Sequence, residues 1–212
     1  MRQRGRDQRP RFGDALADRE FRALFGADLL SLLGDQMALL ALIVVVHQRT
    51  GSAFLSAAVL AASFFPSLLG GPLLAAFADR LPRRRLMTGC DIGRALLVLL
   101  VALPLLPTAA VFPVVFAVGL VACPFEAARS ALLPEILEGE RYVAGLALMQ
   151  GTYQVAQVAG YVAGGVAVAA FGPLPVLLVD VATFLASAAV LTTSVRPGYV
   201  VAPRHVEVRA SV

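Results

Sequence analysis

Six apolar runs, each about 20 residues or longer and separated by short polar links, constrain this chain more than any other feature. They cover approximately residues 21–46, 53–78, 86–106, 110–128, 143–171 and 174–194. A helix rising 1.5 Å per residue needs about 20 apolar residues to cross a hydrocarbon core of about 30 Å. Only 15% of the 212 residues are charged, 58% are hydrophobic, and the mean hydropathy is +0.79, which no soluble domain class matches. The expected fold is therefore all-α, a polytopic membrane protein with six transmembrane helices.

Helix-ending residues punctuate the runs at Thr50-Gly51-Ser52, Leu81-Pro82, Leu106-Pro107-Thr108 and Phe171-Gly172-Pro173. The first run exceeds the apolar region of a signal peptide and has no small-residue cleavage site after it, so it reads as a retained helix. Three regions follow: a disordered basic tail over 1–20, a six-helix bundle over 21–195, and a C-terminal tail over 196–212. The link from Arg129 to Tyr142 is long enough for a surface helix with Pro134 near its start.

All 18 basic residues are arginine, and their placement orients the bundle. Arg2 to Arg22, Arg80 to Arg85, Arg129, Arg141, Arg196, Arg204 and Arg209 fall on one side, and Arg49 stands alone on the other. Cytoplasmic flanks hold the positive excess, so both termini are expected in the cytoplasm. The net charge of +4 does not point to nucleic acid, because the arginines sit between apolar runs rather than in a basic patch.

Acidic groups inside apolar runs are costly and mark a partner or a wet cavity. Asp28 and Asp35 lie seven residues apart in the first run and share a helical face with Ser31, a face expected to be wet. Asp35, and then Asp28, are the candidates for a protonatable or cation-binding group, with Gln36 beside them. Pairing with an arginine near the cytoplasmic end is the other reading, the more so for Asp28. Asp180 in the sixth run has three open placements: a missing partner helix, an internal amide or the interface. Glu126, three residues before Arg129, is expected to pair with it within the helix.

Gln150, Gln154 and Gln157 fall on one face of the fifth run, and Gly160, Gly164 and Gly165 follow them. The glycines fit close helix packing. For Gln154 and Gln157, substrate contact and amide bonding between helices are both open. Cys90 and Cys123 lack ligand-spaced companions and read as reduced packing residues, and His47 and His205 as solvated. The sequence contains no phosphate-binding loop, zinc-protease motif or nucleophile elbow, so neither an enzyme nor a cofactor or metal site is expected.

The link after the second run, Ala75-Ala76-Phe77-Ala78-Asp79-Arg80-Leu81-Pro82-Arg83-Arg84, resembles the Gly-x-x-x-Asp-Arg-x-Gly-Arg-Arg signature of major facilitator superfamily transporters. Ala75 and Pro82 replace its two glycines. Ser31 to Gln36, Asp91-Ile92-Gly93-Arg94, Ala128 to Pro134 and Ala182 to Ser187 are similar to the branch of enterobactin exporters and macrolide-efflux-like proteins. That branch has a Gly-Pro-x-x-Gly-Gly antiporter motif where this chain has Tyr161 after Gly160.

The resemblance implies the N-terminal six-helix half of a proton-coupled exporter of amphipathic small molecules, such as drugs, macrolides or siderophores, in a bacterial cytoplasmic membrane. It implies a gating cluster of Asp79, Arg80, Arg83, Arg84, Asp91 and Arg129; topology and solubility charges are the plainer reading of the same residues. Transport would need a second six-helix half, a further copy or a separate chain. Truncation of a twelve-helix ancestor is the favoured account of the missing half. An uptake transporter and a membrane subunit acting only in assembly are the alternatives.

Overall fold

Lipid offers no hydrogen bonds to backbone groups, so runs of Ala, Leu, Val and Gly satisfy their own N–H and C=O groups as helices. The computed structural model describes residues 12–78, 81–103 and 106–196, without the side chains of Phe12, Asp14 and residues 67–78. Seven helices result among the described residues: α1 (Phe12–Leu16), α2 (Arg19–Thr50), α3 (Ala53–Ala78), α4 (Arg83–Ala102), α5 (Thr108–Ile136), α6 (Glu140–Phe171) and α7 (Pro173–Ser194). Four of them, α2, α5, α6 and α7, are long and apolar enough to cross a membrane. In α3 the apolar stretch found among the described residues is Ala53–Pro66, and α4 carries Arg83 to Arg85, Asp91 and Arg94.

The helix ends have local causes. Asp18 caps α2, its carboxylate accepting from the N–H groups of Glu20 at 2.8 Å and Phe21 at 3.1 Å. Gly51 closes the same helix at φ 65°, a left-handed conformation that a side chain would strain. Gly172, at φ 81°, and Pro173 separate α6 from α7.

Two boundaries differ from the sequence reading. Residues 12–16 fold as a helix with Ala15 fully buried, so ordered structure starts ahead of residue 21; residues 1–11 and 197–212 lie outside the described residues. The expected surface helix between Arg129 and Tyr142 is absent, because α5 runs through Pro124 and Pro134 to Ile136 and leaves only residues 137–139 as a link. A proline forfeits one backbone bond, and membrane helices absorb that loss when neighbouring groups satisfy the freed carbonyl.

α7 packs between α2 and α4; α5 bridges α3 and α4, and α6 lies along α2. Ala41, Val46, Val59, Val98, Val111 and Phe184 form the larger core. Leu24, Met87, Phe125 and Leu191 form a second core toward the end of the bundle that holds most of the arginines, the basic end. Arg83 pairs there with Glu135 at 2.5 Å, Arg84 donates to the Val195 carbonyl at 3.1 Å, and Arg196 pairs with Glu20 at 3.2 Å. At the opposite end Arg49 donates to the Leu106 carbonyl at 2.8 Å. The outer faces expose Leu96, Val155, Val162, Val166, Phe171 and Leu185, side chains that lipid solvates at no cost.

Glycine sets the distance between α2 and α6. A Cβ on Gly160 would stand 2.7 Å from Gln36 Cβ, and one on Gly164 would stand 2.9 Å from Met37 Cα. Gly165 has more room, at 3.5 Å from a Leu40 methyl. Because the obstacle at Gly164 is backbone, no rotamer change relieves it. Gly164→Ala is expected to cost about 1–3 kcal/mol in reversible unfolding in detergent. Gly151→Ala, where no atom lies within 4 Å, should unfold at or above the parent's midpoint.

Candidate functional site

A guanidinium buried inside a helical bundle must be surrounded by groups that replace water, and Arg94 on α4 is so enclosed, at 4% exposure. Its Nη2 donates to Asp91 Oδ1 at 2.6 Å, one helical turn earlier. Its Nη1 donates to Asp35 Oδ2 on α2 at 3.1 Å. The guanidinium carbon lies over two rings, 4.8 Å from the centroid of Phe125 on α5 and 4.4 Å from that of Phe184 on α7. Ser187 on α7 donates to the second Asp91 oxygen at 2.6 Å. Four helices therefore converge on one cation, with Asp91 at 0% exposure and Asp35 at 30%.

Asp180 joins this cluster from α7, at 1% exposure. It faces α2 beside Gly34, where a Cβ would collide with Thr183 Oγ1 and Asp180 Oδ1. Thr183 Oγ1 bonds to the Asp180 carbonyl at 2.7 Å and approaches Oδ1 at 3.4 Å, while Oδ2 has no partner among the described residues. None of the three placements left open by sequence is the one found: Asp180 is buried against α2 of its own bundle, where Gly34 makes room for it.

Asp35, Gln36, Arg94, Asp180, Tyr153 and Gln157 line a cavity of about 240 Å³ on the inner side of the bundle. Leu39, Leu42, Val98 and Val118 supply much of its apolar wall, and Glu126 and Tyr161 also border it. Gln36 Oε1 is buried in this wall without a partner.

The other candidates are dispersed. Asp28 pairs with Arg129, whose Nη1 lies 2.7 Å from both carboxylate oxygens, in place of the intrahelical Glu126–Arg129 pair expected from the spacing. Arg129 is drawn to α2 because Asp28 is the less exposed carboxylate, whereas Glu126 opens on the cavity. Ser31, expected on a wet face, is buried, since α2 turns that side toward its neighbours. Gln154 lies apart from the cavity, in an outward groove with Val155, Val158 and Val162.

The implied gating residues occupy separate sites: Asp91 in the Arg94 cluster, Arg129 on Asp28, Arg83 on Glu135 and the Ala131 carbonyl, and Arg84 on the Val195 carbonyl. Asp79 and Arg80 lie outside the described residues. Both cysteines are free thiols, and Cys123 borders the cavity.

Arg94 is the residue that reading for acids alone passed over. A guanidinium in mid-run, three residues after an aspartate, was itself the signal, because it cannot stand there unpaired. Arg94→Ala leaves Asp35 and Asp91 without their cation and is expected to cost about 3–5 kcal/mol in detergent unfolding. Adding Asp91→Asn should recover part of that loss, which a double-mutant cycle would measure.

Searches of curated proteins and of solved structures returned no match. The family profile described as Major Facilitator Superfamily matches residues 24–210, nearly the whole bundle and the segment after it. A multi-pass helical architecture, a buried charge cluster and a cavity facing inward from the helices accord with that profile, and the chain belongs to the major facilitator superfamily, a family of membrane transporters.

Proposed function

We propose that this chain forms a six-helix half of a proton-coupled exporter of amphipathic small molecules, with Asp35 as the group that takes up and releases the proton. The observation that carries this reading is the unequal pairing of Arg94. Asp91 holds it at 2.6 Å with no exposure to solvent, while Asp35 holds it at 3.1 Å on the cavity wall with part of its carboxylate accessible. Protonating Asp35 weakens the α2 contact and leaves the guanidinium with Asp91 and its two rings. The link between α2 and α4 can thus open without leaving the buried cation bare.

Side chains from all six long helices line the cavity, and the exposed Glu126 and half-buried Gln157 and Tyr161 on its wall call for a facing surface. A second six-helix bundle, a further copy or another chain, would supply it and hold substrate near the midplane between the two. All six long helices would then span the membrane, the charges of α4 lying within the bundle or at its basic end. The shared end of Arg83, Arg84, Arg129 and Arg196 supports a cytoplasmic basic end in a bacterial plasma membrane. Arg83 and Arg84, which bind carbonyls and a carboxylate of α5 and the end of α7, would steady that end in one access state.

Asp35→Asn should reduce movement of solute driven by an imposed pH gradient in membrane vesicles at least about tenfold, with insertion and unfolding midpoint near those of the parent. Flux unchanged by the substitution would remove Asp35 from the mechanism. Crosslinking in native membranes should capture the chain joined to a second bundle; a strict monomer that still transports would overturn the two-bundle arrangement.

A further inference from the structure

Beyond the proton site, the cavity is built for a particular class of ligand. Arg94 is the one cation on its wall among the described residues, and its two Nη groups are already committed to Asp35 and Asp91. Asp180 and Glu126 therefore border the same space without a counter-cation. Glu126 is exposed there, toward the basic end of α5, and makes no ion pair among the described residues.

Two further atoms point the same way. Gln36 is 8% exposed and Asp180 1% exposed, and Oε1 of the first and Oδ2 of the second are buried acceptors with no donor. Among the fully buried wall atoms without a partner, these two acceptors stand beside a single donor, Arg94 Nε. Unpaired buried acceptors favour a guest that brings N–H groups or positive charge. Tyr153 and Tyr161 add two aromatic rings, whose faces attract cations, and the rest of the wall is largely aliphatic.

We infer that the cavity binds a small amphipathic organic cation, an amine or quaternary ammonium carrying an aryl or alkyl group, with Glu126 as its counter-charge and Tyr153 beside it. The apolar part of such a ligand would lie against Leu39, Val98 and Val118. An organic anion would meet Glu126 and is disfavoured by its charge. This inference rests on the transport reading for its biological sense and on the cavity alone for its chemistry.

The test is titration calorimetry of the full chain in lipid nanodiscs with benzyltrimethylammonium, and with benzenesulfonate as an anion of similar size, subtracting empty nanodiscs. The cation should bind saturably, the anion should not, and Glu126→Gln should weaken the cation about tenfold. Glu126 is exposed and the substitution preserves shape, so an unaltered unfolding midpoint accompanies it. Equal affinity of parent and variant, or anion binding at least as tight as cation binding, overturns the inference. Gradient-driven flux of a neutral or anionic solute with no cation binding also overturns it while leaving transport intact. Cation binding lost on Glu126→Gln in a chain that moves no solute upholds it and sinks the transport reading instead.

Discussion

The burial of one guanidinium organises this bundle. Arg94 is only 4% exposed, and a bare charge so enclosed would cost more than the fold could sustain. Its compensation comes from four helices: Asp35 on α2, Asp91 on its own α4, the Phe125 ring on α5, and the Phe184 ring with the Ser187 hydroxyl on α7. Helix association within lipid lacks the hydrophobic drive that assembles soluble cores. A buried cation with directional partners provides a specific reason for α7 to lie between α2 and α4. The apolar clusters on either side of it then add packing.

What sequence could and could not reveal follows from the range of the interactions. Helices were legible because membrane span length and helix-ending residues act within a few positions, as at Gly51 and Gly172. The Asp18 cap and the buried Ala15 were missed because a polar, arginine-rich segment looks like a tail until its neighbours are known. Similarly, Pro134 looks like a boundary locally, yet α5 continues through it. Asp28 and Asp35 stood out as acids in an apolar run, but their partners Arg129 and Arg94 lie 101 and 59 residues away along the chain. No periodicity encodes such pairings. Asp180 opposite Gly34 is the same case: a glycine in one helix makes room for a carboxylate from another.

The two sides of the bundle are treated differently. At the basic end, Arg83–Glu135, Arg129–Asp28 and Arg196–Glu20 tie helix ends together. Between α2 and α6, Gly160 and Gly164 bring backbones into contact, Gly160 against Gln36 and Gly164 against Met37. Around the cavity, by contrast, Gln36, Asp180 and Arg94 each keep a polar atom unpartnered. Evenly distributed imperfections would suggest loose packing. Three of the five buried unpartnered polar atoms among the described residues lie on this wall, Ser31 and Thr88 holding the other two, so the wall keeps bonds that water or a guest can make.

That arrangement bears on how α2 could move. Its seam with α6 is glycine-lined and its contact with α7 includes Gly34 against Asp180, so neither surface can slide without collision or separation. Its tie to α4, however, runs through one hydrogen bond of 3.1 Å to a partly exposed carboxylate. A change of charge at Asp35 therefore acts on the contact of α2 with the fewest steric constraints. The Arg94 side loses little by it, since Asp91, Ser187 and two rings stay in place. In the proposed cycle the proton would not rebuild the bundle. It would alter one replaceable bond on the cavity wall, and the binding of a cation nearby would bear on the same carboxylate through charge alone.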